Sequence, residues 1–361
     1  MQLDHPLERV VQWRYAIIIF VSIEAGIVSG GRGDWDQFVD AGRAMFGSAG
    51  LHVYVLHHDV QTGPLSLFLA WLFAHTPRDG FVLAAVVSAA LGIVAVRLCE
   101  LTSQRFRSDI DFQLVVLVGG CLAAFSWAKL GGYGHLDDAI TLTCAVIALN
   151  RVRAGKPLSA GLAIGIAIAA KPWGVIFLPL TLATRWRDLR APIIAGSVAA
   201  LAWLPFIVGA PDSLRALRPT VNVAPDSVLA LFGVTSDSMP DWLRVAQLIA
   251  CLGVAAVLAL RRRPESVIAA AIAVRLASDP ATWSYYTPGL VIGVLVWDLI
   301  ERRRFPWATF VVVVGLAPTW LVPSDTARGL MRLAVTAGVV VFAFVRGPAA
   351  SATPLEAIPV P

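Results

Sequence analysis

The stretch "VQWRYAIIIFVSIEAGIVSGGRGDWDQFVD", residues 11–40, joins two different kinds of sequence. Its first part, Val11 to Val28, is mostly apolar and about as long as a helix that crosses the hydrocarbon core of a bilayer. The part that follows has several glycines and two acids around a tryptophan. Because no small-residue cleavage site ends the apolar run, we expect it to remain in the protein as a first membrane helix.

Similar apolar runs recur along the whole chain. Of the 361 residues, 57% are hydrophobic and 15% are charged, whereas a soluble domain has about 25% charged residues. This composition predicts an all-α polytopic membrane protein. The net charge of +5 is explained by Lys and Arg in cytoplasmic loops, so no nucleic-acid partner is expected. The four cysteines lie inside apolar runs, without the spacing of a disulfide framework or a zinc site.

Six basic clusters indicate the cytoplasmic side, because Lys and Arg are enriched there. For all six to share one side, an even number of crossings must separate each neighbouring pair. This predicts about twelve crossings, within roughly ten to thirteen, with both termini cytoplasmic. The clusters are 8–14, 97–107, 151–156, 185–190, 261–263 and 301–304. The predicted crossings are 12–30, 80–98, 110–128, 136–151, 157–170, 173–184, 191–209, 243–260, 266–277, 285–300, 305–322 and 329–346.

One apolar piece is too short to be counted as a crossing. Residues 63–76 would form a helix of about 21 Å, against roughly 30 Å of hydrocarbon. We therefore assign it as an interfacial helix in a first external loop, 31–79. A second external loop is predicted at 210–242, inside a single membrane domain of residues 1–346. The Pro- and Ala-rich tail 347–361 is predicted to be disordered and cytoplasmic.

Asp34 and Asp36 follow the first crossing, on the side opposite to the basic clusters. They could be a solvated pair or a cap for the helical pattern that comes next. The alternative is a general base held near the apolar surface.

The sequence "GHLDD" places His135, Asp137 and Asp138 at the start of a predicted crossing. Acids at a helix N-terminus interact favourably with the helix dipole, so capping explains them adequately. His135 beside them makes a contact with a metal or with an acceptor sugar an alternative. One histidine and two aspartates are a weak signal for a metal, and His57 and His58 with Asp59 do not predict a metal site by themselves.

Lys171 follows a long apolar run, and a lysine in the middle of a membrane helix costs about 3 kcal/mol. It either snorkels to the interface or forms a fixed cation for a buried phosphate, and Arg275 presents the same choice. Trp283 and Tyr286 suit an interfacial aromatic belt or the stacking of a sugar ring.

Four motifs with a common predicted sidedness occur along residues 12–300. They are Asp34, Phe38, Ala41–Gly42 and Gly63–Pro64; then "GHLD" at 134–137; then Gly161, Gly165 and Lys171; then Pro280, Trp283 and Tyr286. This series resembles the GT-C superfamily of membrane glycosyltransferases. It is closest to actinobacterial family 87, which includes polyprenyl-phosphomannose-dependent α-mannosyltransferases and related arabinofuranosyltransferases. His135 departs from the pattern, because the family usually has Gln there.

The resemblance implies a GT-C bundle with a juxtamembrane helix in the first external loop. It implies transfer of a sugar, mannose first, from a polyprenyl-phosphate donor to a glycolipid or glycan at the outer face of the plasma membrane. Asp34 would be the general base of a single inverting displacement, with Asp36 as second choice. Lys171 and Arg275 would hold the donor phosphate. No cofactor is required, although Mg²⁺ or Mn²⁺ is allowed. The residues expected to position the acceptor or the base are His135, Asp137, Asp138, His57, His58, Trp283 and Tyr286.

Three other functions are compatible with parts of the pattern. An arabinofuranosyltransferase would share the same fold. A transporter or flippase for a lipid-linked substrate would need ionisable residues near the midplane and two related halves, and the sequence has no convincing internal repeat. A non-catalytic scaffold would use the acids and lysines only as caps and anchors.

Overall fold

The computed structural model describes residues 6–29, 31–183, 188–216, 221–235, 239–301, 303–316 and 321–346, and within these ranges all regular structure is helical. The α-helices are α1 Pro6–Gln12, α2 Arg14–Val28, α3 Trp35–Met45, α4 Val53–Leu56, α5 Pro64–Phe73, α6 Phe81–Ser103, α7 Ile110–Gly132, α8 Leu136–Arg153, α9 Pro157–Ala170, α10 Arg190–Gly209, α11 Ser213–Ala216, α12 Val228–Leu231, α13 Asp241–Leu260, α14 Pro264–Ser278, α15 Pro288–Ile300, α16 Trp307–Leu316 and α17 Asp325–Val345. Short 3₁₀ helices lie at Gly50–His52, Pro77–Gly80 and Ser284–Tyr286, and a longer one at Pro172–Ala183. The predicted tail 347–361 and residues 185–187 of one basic cluster lie outside the described residues.

Within the described residues, five helical segments are long and apolar enough to cross a membrane. The chain is therefore a membrane protein, and the part of it that the structure describes is all-helical. A helix also lies at every other predicted crossing, but these helices are shorter. Crossing by the shorter helices, and an interfacial position for α5, stay predictions. The five segments are Pro77–Ser103, Ile110–Gly132, Arg190–Gly209, Asp241–Leu260 and Asp325–Val345.

The helical path is interrupted at "KPWG", residues 171–174, where Pro172 and Gly174 are natural helix breakers. Helix α9 ends at Ala170, and Lys171 has an extended backbone with φ −151° and ψ 129°. Pro172 starts the next segment, Pro172–Ala183, which is a 3₁₀ helix. With a rise of about 2.0 Å per residue, a 3₁₀ helix is longer than an α-helix with the same number of residues. The break leaves Lys171 between two helical segments.

Two motif glycines on α9 allow a close approach to α10. A Cβ atom on Gly161 would lie 2.3 Å from the carbonyl oxygen of Ala191, and one on Gly165 would lie 2.5 Å from the side chain of Val198. Small residues at such contacts let two helix backbones pack tightly in a membrane. These glycines therefore have a structural role.

The segment 31–79, predicted to be the first external loop, is hydrogen-bonded to the end of α9. The carbonyl oxygen of Ala170 accepts hydrogen bonds from the Gly63 N–H at 2.8 Å, the Ser66 hydroxyl at 2.9 Å and the Thr62 hydroxyl at 3.3 Å. A Cβ atom on Gly63 would lie 2.1 Å from the carbonyl oxygen of Ala169. The loop therefore meets α9 next to Lys171.

Candidate active site

The start of α3 packs against the link between α7 and α8. The Asp34 N–H donates to the carbonyl oxygen of Tyr133 at 3.2 Å. Gly33 and Gly134 both have left-handed backbone conformations, with φ of 50° and 77°. A Cβ atom on Gly33 would lie 2.2 Å from the same Tyr133 oxygen, so this approach requires glycine. The contact places Asp34 beside His135.

His135 lies between one partly exposed acid and two buried acids. Its Nε2 is 3.5 Å from Asp34 Oδ2, and its Nδ1 is 3.4 Å from Asp138 Oδ2 and 3.7 Å from Asp137 Oδ1. The side chain of Asp34 is 45% exposed, whereas those of His135 and Asp138 are 4% exposed. Neither ring nitrogen of His135 forms a hydrogen bond with the described residues. Asp34 is the N-cap of α3 but makes no side-chain cap bond, so its carboxylate can turn toward either His135 or a ligand.

Lys171 is buried and paired with two acids. Its Nζ lies 2.8 Å from Asp137 Oδ2 and 2.7 Å from Asp138 Oδ2. The indole N–H of Trp173 donates to the other oxygen of Asp138 at 2.9 Å. The snorkelling interpretation of Lys171 is therefore wrong, since the ammonium group points into the protein. Its positive charge offsets the negative charge of the two acids.

The same acids, together with His135, form a candidate set of metal ligands. One atom each from His135, Asp137 and Asp138 lies within 4.8 Å of the others, and one nitrogen with two carboxylates could ligate a divalent cation. Such a cation would have to share both carboxylates with the Lys171 ammonium group. These three side chains are therefore better suited to a site in which Lys171 supplies the positive charge than to a site that holds a metal ion.

Arg275 lies in a neighbouring pocket of aromatic rings. Its guanidinium carbon is 4.5 Å from the centre of the Trp173 ring and 4.8 Å from that of Tyr286. Asp279 Oδ2 lies 3.5 Å from Arg275. Burial raises the pKa of the Asp279 carboxyl, and the guanidinium opposes this rise. Arg275, like Lys171, therefore already has an acidic neighbour within the protein.

Aromatic rings lead from the surface to His135. Tyr285 stacks on the His135 imidazole with ring centres 3.8 Å apart, and Trp283 lies nearly parallel to Tyr285 at 6.1 Å. Tyr133 is 5.6 Å from Tyr285. Trp283 is 55% exposed. Because Trp283 is exposed at the surface end of this row of rings, a sugar ring can stack against it.

Most of the predicted site residues lie close together in the structure, and a few lie apart from them. Asp36 is exposed and pairs with Arg32 at 3.2 Å. His58 is exposed beside Asp59 at 3.6 Å. Within the described ranges, no hydrogen bond, ion pair or ring contact connects Asp36, His57 or His58 to His135.

Sequence reasoning did not assign a role to two residues of the site, Trp173 and Asp279, and it considered Tyr285 only as a member of an aromatic belt or a sugar-stacking surface. Trp173 follows Lys171 by two positions, and Asp279 follows Arg275 by four, which is the spacing of neighbours on a helix. The stacking of Tyr285 on His135 gave no comparable signal, because it joins distant parts of the chain.

The sequence model of Glycosyltransferase family 87 matches residues 62–284 of this chain. The match includes His135, Asp137, Lys171 and Arg275, and it begins after Asp34. It is shorter than the range 12–300 over which the motifs resemble the family. No curated protein matches the chain. No solved structure matches it either.

Proposed function

Because the chain belongs to glycosyltransferase family 87, a GT-C family, we propose that it transfers a sugar from a polyprenyl-phosphate donor to a glycolipid or cell-envelope glycan. The observation that carries this proposal is the contact of His135 with Asp34 on one side and with the Lys171-paired acids on the other. We propose mannose as the sugar. Arabinofuranose is the alternative for the same site.

We place the reaction at the outer face of the plasma membrane. Asp34 follows the first predicted crossing, and the six basic clusters lie at the other ends of the predicted crossings. Asp137 and Asp138 are in the first turn of α8, and Lys171 follows the last turn of α9. All of these groups are thus at helix ends of one predicted side. This arrangement supports a transferase over a transporter, whose ionisable residues would lie near the midplane.

In the proposed reaction, Asp34 accepts the proton of an acceptor hydroxyl. The hydroxyl oxygen forms a bond to the anomeric carbon of the donor sugar. The bond between that carbon and the phosphate oxygen breaks, and its electron pair leaves with the polyprenyl phosphate. A single displacement of this kind inverts the anomeric configuration. The partial exposure of Asp34 leaves room for the acceptor.

His135 has a positioning role in this proposal. Its ring is held by stacking on Tyr285 and by the acids at Nδ1, so that Nε2 faces Asp34. A base held in one orientation reacts faster than one that must be ordered during the reaction. Lys171 stabilises the acids behind the ring. Trp283, with Tyr285, offers a stacking surface for a sugar.

Lys171 and Arg275 were expected to bind the donor phosphate. Each has an acidic partner, at 2.7–2.8 Å for Lys171 and 3.5 Å for Arg275. Phosphate binding by either residue stays a prediction, and any such contact would compete with these acids.

The proposal is tested with the purified full chain in proteoliposomes. Radiolabelled undecaprenyl-phosphate mannose is added with lipid extract from a strain that lacks the protein. We expect a labelled lipid or glycan with the wild type and none with Asp34→Asn, whereas Asp40→Asn, an exposed acid on the same helix, should be active. A parallel arm supplies undecaprenyl-phosphate arabinofuranose. Movement of the lipid between leaflets without transfer would instead support a flippase.

A further inference from the structure

The leaving phosphate needs a positive charge that is not already used inside the protein. Breaking the sugar–phosphate bond increases the negative charge on the phosphate oxygens, and a cation at that position stabilises the transition state. Lys171 and Arg275 both have acidic neighbours. The chain has only two further lysines, Lys129 and Lys156.

Lys129 is a half-buried cation without an acidic partner in the part of the chain that the structure describes. It lies in the last turn of α7, and its Nζ is 5.9 Å from the centre of the Phe125 ring. Among the described residues, no acid lies within 4.0 Å of this ammonium group. Partial burial makes an uncompensated charge costly. An anion held at Lys129 would remove that cost.

Lys129 is one helical turn away from the candidate site. Phe125, Lys129 and Tyr133 are four residues apart and therefore lie on one face of α7. Tyr133 contacts Tyr285, which stacks on His135, and its carbonyl oxygen accepts the Asp34 N–H. A turn of about 6 Å along the helix separates Lys129 from Tyr133. Lys129 is on the side toward the middle of α7.

The order of groups along this face matches a lipid-linked sugar. Phe125 is 47% exposed and lies one turn deeper, where an apolar chain would be found. Lys129 follows one turn closer to the predicted outer end of α7. The rings of Tyr133 and Tyr285 and then the acid Asp34 come next. An isoprenoid chain, a phosphate and a sugar occur in the same order in the donor.

We infer that Lys129 binds the phosphate group of the lipid-linked donor, with the isoprenoid chain along the Phe125 face of α7. This inference rests on the proposed function. The same ammonium group then stabilises the polyprenyl phosphate that leaves when the anomeric carbon–oxygen bond breaks. The sugar lies against Tyr133 and Tyr285, between this phosphate and Asp34.

Binding measurements test the inference without requiring turnover. The full chain is purified into nanodiscs of neutral lipid, and undecaprenyl phosphate is compared with undecaprenol, which has the same chain and no phosphate. We expect the wild type to bind the phosphate at least about tenfold more tightly. Lys129→Met should remove this preference, and Lys129→Arg should keep most of it. Lys156→Met is the matched control. Lys156 is exposed and lies on the predicted cytoplasmic side, opposite to Lys129, so this variant should bind like the wild type.

Competition separates this site from a general site for anions. An excess of phosphatidic acid or inorganic phosphate should displace undecaprenyl phosphate poorly. Equal displacement by phosphatidic acid would show a site for any anionic headgroup and would overturn the inference. An unchanged preference in Lys129→Met would overturn it as well.

The transfer assay distinguishes failure of the inference from failure of the proposed function. If the wild type transfers sugar while Lys129→Met keeps the phosphate preference, only the role of Lys129 is wrong. If Lys129→Met loses the preference while the wild type transfers nothing, the phosphate site stands and the proposed function is wrong. Thermal unfolding of each variant in the same nanodiscs shows whether Lys129→Met is folded, and Lys129→Arg provides a second test if it is not.

Discussion

The Nε2 atom of His135 lies 3.5 Å from the Oδ2 atom of Asp34, although the two residues are the N-caps of two different helices, α8 and α3. On the far side of the imidazole, Asp138 lies 3.4 Å from Nδ1. One ring therefore connects an accessible carboxylate to buried carboxylates. This relationship defines the candidate site and leads to the following predictions.

Replacing Asp34 by Asn should remove the proposed base, and kcat should fall by about 10²–10⁴-fold. Asp36→Asn should keep most activity, because Asp36 is exposed and pairs with Arg32 away from His135. Initial rates of transfer from undecaprenyl-phosphate mannose provide the measurement. If Asp36→Asn were the inactive variant, the base would have to be reassigned to Asp36.

Replacing His135 should affect the orientation of the Asp34 carboxylate more than the binding of the substrates. We expect His135→Ala to lower kcat by about 10²-fold with little change in KM, and His135→Gln to lose less because its amide can still face Asp34. His75→Gln, at an exposed histidine, is the control. A rise in KM at constant kcat would argue for an acceptor-binding role.

Replacing Lys171 by Met should destabilise the protein. It would leave the buried Asp137 and Asp138 without their cation, a loss of about 3–5 kcal/mol for a buried pair. The melting temperature in detergent is the measurement, with Lys156→Met as the control.

A companion variant shows whether the ion pair is the cause. Asp137→Asn and Asp138→Asn together with Lys171→Met should recover part of the lost stability, since no charge is left unpaired. Equal melting temperatures for Lys171→Met and Lys156→Met would contradict a buried ion pair. Unchanged transfer in Lys171→Met would separately exclude this residue as the phosphate cation.

Replacing Gly63 by Ala should displace the segment before α5 from the end of α9. The new Cβ atom would lie 2.1 Å from the carbonyl oxygen of Ala169, and overpacking of this kind costs about 1–3 kcal/mol. We expect lower stability and lower transfer. Gly253→Ala should be neutral, because no described atom lies within 4 Å of a Cβ atom there. Normal transfer by Gly63→Ala would show that the loop does not need this contact.

Removal of divalent cations should leave transfer unchanged, because the Lys171 ammonium group already pairs with the acids that a metal would use. The measurement is the transfer rate after EDTA treatment, compared with the rate after Mg²⁺ or Mn²⁺ is added back. Loss of transfer with EDTA and its recovery with one metal would place a cation in the site and contradict this expectation.

Several features of the fold were predictable from the sequence because they depend on local properties. The apolar runs located the helices, and Pro172 located the break after α9. The family was recognisable from short motifs in order. The 3₁₀ form of Pro172–Ala183 was not predicted, since an apolar run of that length is equally compatible with an α-helix. The roles of Gly63 and Gly161 in packing were not predicted either, because they depend on backbone atoms of other segments that lie close to each glycine.

By itself, the sequence determined that this is a helical membrane protein of a glycosyltransferase family, because hydropathy and motif spacing are properties of neighbouring residues. Only the tertiary structure decided which polar groups meet. Asp34, His135 and Lys171 are far apart along the chain and come together because Gly33 and Gly63 let the segments before α3 and α5 approach the ends of α7 and α9. The same packing turned Lys171 toward two acids and left Lys129 with none among the described residues. No one-dimensional pattern contains that difference, since the burial of a charge depends on all the segments around it.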